Sequence, residues 1–228
     1  SPWGAGRLAV ALRGAQVVPI CLADVPNEDP AMIGSGPVTP DPLTGAHVER
    51  ILRDAGIATR IPLSIASALG AVRHRVAGET PKPGDAAFAQ VAEPVVVGNG
   101  AALEAIATAA TSHDAHQVLL ARTPLHGDAT AAGRTIAHAV ARAAPGTVLI
   151  WGGETTVRLP EGHGTGGRCQ QLALAAAEIL GELGTPASLL AAGTDGRDGP
   201  TDAAGAVVDE TTWAAIRTAG IDPGAALR

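Results

Sequence analysis

From residue 94 onward the chain alternates short apolar runs with alanine-rich amphipathic stretches, and nearly every apolar run ends in a loop of glycine, aspartate or proline. EPVVVGNG, HQVLLART, GTVLIWGGETTVRL and ASLLAAGTDG read as strands, the third as a strand or a hairpin. Residues 100–112, 127–143, 168–183 and 210–219 read as helices between and after them. Strand–helix alternation of this kind buries apolar runs under helices, which gives an α/β fold with a parallel or mixed sheet. Upstream, QVVPICLA at residues 16–23 is another apolar run, and residues 44–57 carry Val48, Ile51, Leu52 and Ala55 at helical spacing, with Gly56 as a stop. Residues 63–72 add a short helix, and the Pro- and Gly-rich residues 78–87 read as a linker. No internal repeat is visible.

The 228 residues suffice for one large or two small domains. Forty-eight are alanine and only 2% are aromatic, so the core is expected to be built from small aliphatic side chains at close approach. Fifteen of the 16 basic residues are arginine, the exception being Lys82, and they form no basic stripe interleaved with aromatics. With a net charge of −6, a nucleic-acid partner is not expected. No apolar run reaches membrane-spanning length, and the N-terminal residues lack the pattern of a signal peptide. Cys21 and Cys169 have no metal-ligand spacing and read as reduced thiols, which points to a cytoplasmic location. The chain begins almost directly in a helix-like segment and stops at GIDPGAALR shortly after a helix, so both ends read as cuts.

Three loops concentrate the chemistry, at strand ends where open α/β sheets bind ligands. In the first, Asp24 follows the apolar run, Glu28 and Asp29 follow it, and Gly34-Ser35-Gly36 forms a turn whose backbone N–H groups and hydroxyl suit an anion. The plainer reading is a proline-rich surface loop. The second is GGETTVRLPEGHGTGGR, residues 152–168. Gly162, Gly164 and Gly167 match G-x-G-x-x-G, but Pro186-Ala187-Ser188 stand where a dinucleotide fold needs an acid, so the match is rejected. No G-x-x-x-x-G-K-[ST] phosphate loop exists. Arg168 opens the helix whose buried face is expected to be Leu172, Ala176, Ile179 and Leu183. A cation is unfavourable at a helix N-terminus. An anion held between Arg168 and the helix amides would reverse that, so Gly164, Gly166, Gly167 and Arg168 read as a phosphate or carboxylate site. The plainer reading has Arg168 pointing to solvent or paired with Glu154 or Glu161. The third loop is GTDGRDGPTD, where Asp195 and Asp198 fail the EF-hand spacing but suit Mg²⁺, which borrows phosphate oxygens. Its plainer reading is a turn capped by its own side chains. Asp209 reads as a cap for the helix after it.

Taken together, DVPNEDPAMIGSGPVTPDP, GGETTV with GTGGRCQQLALAAA, and LLAAGTDGRDGPTDAAGAVVD resemble the loops of the glycerate 2-kinase family, also called the MOFRL family and often labelled hydroxypyruvate reductase. The resemblance spans essentially all 228 residues. It implies ATP-dependent phosphorylation of D-glycerate to 2-phosphoglycerate with Mg²⁺. It also implies residues 1–85 as the remnant of a Rossmann-like first domain plus linker, and residues 86–228 as a second, MOFRL-type α/β domain. Positions that match the family's active site are Asp24, Glu154, Arg168, Asp195 and Asp198, with Ser35 and Gly36 in the first loop. Asp24 would accept the 2-hydroxyl proton, and Asp195 and Asp198 would hold Mg²⁺ or orient ligands. Asn27-Glu28, Val38, Cys169 and Gln171 depart from the family pattern, and its catalytic lysine has no counterpart, since Lys82 sits in another context. On this resemblance the chain is an internal fragment, inactive alone as a kinase. The alternatives are a nicotinamide-dependent reductase and a non-catalytic anion-binding module. A homodimer is a candidate assembly.

Overall fold

The structure is a computed structural model that describes residues 2–23, 25, 28–74, 76–113 and 115–227. The fold is mixed α/β, in two compact units, Ser1–Asn99 and Gly100–Arg228.

In the first unit, β1 (Ile20–Leu22) pairs in parallel with β2 (Val95–Val97), Ile20 opposite Val95 and Leu22 opposite Val97. β1 is shorter than the apolar run that contains it because Pro19 has no N–H to give the ladder. Upstream of it only an isolated bridge, Val17 to Val91, continues the pairing. β2, which follows the linker in sequence, thus lies beside a strand that precedes it. The helices are α1 (Arg7–Ala11), α2 (Gly45–Asp54) and α3 (Leu63–Arg73). α2 starts where the Thr44 side chain accepts from His47 N and the His47 side chain accepts in return from Thr44 N. Little of this unit is buried: Ala9 and Ala87 are its buried hydrophobic residues among those described, while Ile20 and Leu22 are 78% and 79% exposed.

In the second unit, α4 (Asn99–Ser112, begun one residue earlier) leads to β3 (Gln117–Leu120), α5 (Ala129–Ala141), β4 (Thr147–Ile150) and α6 (Arg168–Leu183). Then come β5 (Ser188–Ala192), β6 (Gly205–Asp209), α7 (Thr212–Thr218) and α8 (Pro223–Ala226). β3 and β4 are parallel, and bridges Leu125–Gly153 and Asp128–Thr156 carry their pairing beyond the strand ends. The segment after β4 therefore runs on beside residues 125–128 and forms no hairpin of its own. β5 and β6 are antiparallel, Leu189 opposite Val208. β6 is an additional strand beyond those the sequence pattern marks: GAVVD is five residues and buries only Val208, too little to mark a strand by period.

The core lies between α5, α6 and the β5–β6 ladder: Ala129, Ile136, Ala137, Leu172, Ala173, Ala176, Ala177, Leu180, Leu189 and Val208. Small residues let α5 and α6 touch backbone to side chain. A Cβ on Gly133 would sit 2.2 Å from the Leu172 carbonyl oxygen, so only glycine fits. On α6, Leu172, Ala176 and Ile179 are buried as expected, but Leu183 is 51% exposed. Leu183 closes the last turn before Gly184, which ends the helix in the left-handed region. Leu180, fully buried, takes the place expected for Leu183.

Candidate functional site

The second unit brings the glycine loop and the aspartate loop together at the start of α6. Gly167 is the residue before α6 and has no side chain to cap it. The cap comes from 29 residues away: Asp198 Oδ1 accepts from Cys169 N at 3.0 Å and Oδ2 from Gln170 N at 2.8 Å. These are the second and third helical amides, which a capping side chain normally serves. Asp198 is only 2% exposed. Its own N–H donates to Ala203 O at 2.8 Å, and its carbonyl accepts from Thr201 Oγ1 at 2.7 Å. Thr201 Oγ1 in turn accepts from Gln170 Nε2 at 3.1 Å. The two backbones are in van der Waals contact. A Cβ on Gly167 would meet the Asp198 carboxyl at 2.3 Å, and one on Gly199 would meet Gly166 O at 2.3 Å.

The amides expected to face an incoming anion already hold an anion, the carboxylate of Asp198. Asp198, expected to meet substrate or metal, is turned inward. Thr201 and Gln170 were not singled out. Asp198 followed at an i+3 interval by Thr201 is a turn signature that could have drawn notice.

Arg168 is the first residue of α6. Arg168 Nη1 donates to Glu154 Oε1 at 2.5 Å, both side chains being about half exposed or more. Glu154 is set in place by the extended β3–β4 pairing, its N–H donating to Leu125 O at 3.0 Å. Asp195, at the end of β5, is exposed and accepts from Arg197 N at 3.2 Å, which closes a tight turn. Gly162 and Gly164, before the helix, have open space where a Cβ would be. Cys169 lies among these charges. Burial, then the charge of Asp198 and a hydrogen bond to it, push its thiol up to about 11, with Arg168 opposing and Asp195 adding to the rise.

The first loop belongs to the other unit. Asp24 lies outside the described residues. Gly34, Ser35 and Gly36 all have positive φ, 57°, 67° and 57°. For Ser35, unlike its glycine neighbours, that is a strained conformation. Two amides of the turn are engaged within it. Ser35 N donates to Met32 O at 3.2 Å and Gly36 N to Ile33 O at 3.0 Å, since a 3-10 turn closes on itself. Ala5 N and Gly6 N take the Ser35 and Gly36 carbonyls. The sole lysine is spent within the same unit: Lys82 Nζ donates to Leu43 O and to Thr80 Oγ1 and lies 3.5 Å from Glu79.

Among the described residues no group of three or more His, Cys, Asp or Glu side chains could by itself hold a metal ion. None of the helices there is long and apolar enough to cross a membrane.

Residues 147–228 match the model of the MOFRL family, and residues 1–70 match that of a domain of unknown function, DUF4147. A glycerate 2-kinase of Pyrococcus horikoshii is 34% identical over 224 residues, 95% of this chain and 49% of that protein. A relative from Agrobacterium vitis that carries the name hydroxypyruvate reductase is 38% identical over 234 residues, 97% of this chain and 50% of the relative. The crystal structure of a Thermotoga maritima glycerate kinase superposes with a TM-score of 0.81 at 33% identity, covering 100% of this chain and 53% of that one. The chain thus spans about half the length of the relatives it matches. The glycine loop, α6 and the aspartate loop all fall in the stretch that matches the MOFRL family model, residues 147–228, and residues 1–70 match the DUF4147 model.

Proposed function

We propose that this chain supplies the phosphate- and carboxylate-binding part of an ATP-dependent D-glycerate 2-kinase. The observation that carries the reading is Arg168. It is an exposed guanidinium at the end of an open glycine loop, held by an exposed carboxylate that a ligand anion can displace. Phosphoryl transfer is mostly positioning and charge neutralisation, which such a loop can supply. The 2-hydroxyl oxygen of D-glycerate attacks the γ-phosphorus, the bond to ADP breaks, and Asp24 accepts the hydroxyl proton. Arg168 holds the glycerate carboxylate or the transferring phosphoryl group in a two-pronged contact. Gly164 and Gly166, with open space where a Cβ would be, let the anion come close to the backbone, and Glu154 orients Arg168 between turnovers. Mg²⁺ would neutralise phosphate charge, and it needs only one or two carboxylates when it borrows phosphate oxygens. Asp195, exposed at a strand end, fits that sparse donor set. We place the protein in the cytoplasm, acting on small molecules, with a homodimer as the assembly to test. On this reading residues 1–85 are the end of a Rossmann-like domain plus linker and residues 86–228 a MOFRL-type domain, although the compact units divide later, after Asn99, because β2 pairs with β1.

The test is direct. The complete coding sequence is expressed, supplied with ATP, Mg²⁺ and D-glycerate, and followed for 2-phosphoglycerate. Formation of 2-phosphoglycerate is expected. The reductase reading is favoured by the name of the Agrobacterium vitis relative, and hydroxypyruvate-dependent loss of nicotinamide absorbance without ADP release would establish it instead. Phosphate binding with neither turnover would leave an anion-binding module.

A further inference from the structure

We infer that Asp198 is a positioning residue, whose buried carboxylate clasps the first turn of α6 and so holds Arg168 in place, and that it is not a ligand to the cation. The inference rests on the kinase reading for its activity readouts and on geometry for the rest. Asp198 is the buried charged side chain among the described residues. Both of its oxygens are engaged, with Cys169 N and Gln170 N. A carboxylate charge is tolerated in such a place because it faces the positive end of a 16-residue helix. Its own backbone is pinned by Ala203 and Thr201, and Thr201 is tied back to Gln170. The contact at Gly167 and Gly199 leaves no space to shift one loop against the other. Arg168 is the residue next to this clasp. Its cation would be disfavoured at a bare helix start, and the clasped carboxylate offsets that field while leaving the guanidinium free to reach outward. Asp195, exposed on the same loop, remains the carboxylate for a cation.

The experiment compares D198N, T201V, R168A, D198N with R168A, and D195N in the full-length protein. D198N should lower kcat about 30-fold while leaving the Mg²⁺ concentration for half-maximal activity unchanged. D195N should raise that concentration about tenfold. Because Asp198 acts through Arg168, D198N should cost no more than about twofold further in the R168A background. Independently of any activity, D198N should speed alkylation of Cys169 and hydrogen exchange of the Cys169 and Gln170 amides. T201V, which keeps the carboxylate, should move exchange in the same direction by less, and it serves if D198N fails to fold. A raised Mg²⁺ requirement in D198N would make Asp198 a metal ligand. Multiplicative losses in the double variant would make its role purely structural. Either result overturns the inference, as do unchanged amide exchange and alkylation. Should the unaltered protein have no kinase activity, the kinase reading falls, and exchange and alkylation still decide whether the clasp exists.

Discussion

At Arg168 the chain puts a cation where the helix field disfavours one, and that conflict is the most informative residue-scale feature. Two neighbours resolve it, Asp198 beneath the helix start and Glu154 against the guanidinium. An Arg168→Ala change removes a charged hydrogen bond to an anion, about 1.5–3 kcal/mol. Turnover of D-glycerate should fall roughly ten- to hundredfold with thermal stability unchanged. Lysine should restore part of it, since an ammonium cannot make the two-pronged contact. Wild-type kinetics in the alanine variant would leave Arg168 as a solvated surface cation. A second prediction concerns Cys169. With its thiol near 11, about one molecule in a thousand is thiolate at pH 8, so alkylation at that pH should be slow and should accelerate up to about pH 11. The sign for stability follows. A raised thiol pKa means the folded state resists ionisation. Its contribution is full below about 9 and is lost as pH climbs through about 11. Peptide mapping of labelled protein across pH checks the first statement and urea melts at high pH the second. Rapid labelling at pH 8 would contradict the packing around Cys169.

At the scale of elements, the α5–α6 contact is the joint that carries the second unit. Gly133 lies against the backbone of Leu172, so Gly133→Ala forces the helices apart. Overpacking of this kind costs about 1–3 kcal/mol. That should lower Tm by roughly 2–10 °C, read by circular dichroism. An unchanged Tm would show that the helices slide without penalty. The helix starts follow separate rules. Asp128 caps α5 through Ala131 N, and the cap is next in sequence to the helix it serves, so it is readable from sequence. α6 has glycine at that position and borrows its cap from a distant loop, which sequence does not reveal. At α7, Asp209 is held below the usual carboxylate range by hydrogen bonds from Thr211 and Thr212. The expected capping role therefore takes the form of a turn at the helix entrance. The stability it adds is present above pH 3.8 and lost as pH falls below that value.

At the scale of the whole molecule, burial is uneven. The buried aliphatic core lies in Gly100–Arg228, while in Ser1–Asn99 the β1–β2 ladder leaves Ile20 and Leu22 largely uncovered. Backbone amides of α5, α6 and β5 should therefore exchange slowly, and those of β1 and β2 faster, under native conditions. Mass-resolved hydrogen exchange is the measurement, and equal protection in the two units would contradict this distribution. Residue order alone encodes the α/β class, most helix positions and the glycine and aspartate loops. Those follow from hydrophobic period and from glycine and proline punctuation, which are local properties. It also carried the motifs by which the family was recognised. Tertiary structure decided the rest. Pro19 and the distant partner at residues 95–97 set the extent of β1. β6 became a strand because β5 lay beside it. Among three similar aspartates in one loop, Asp198 turned inward because the bare amides of α6 lay within its reach. Hydrogen bonding and burial between segments 29 residues apart are set by where the chain folds back, and residue type alone does not encode that.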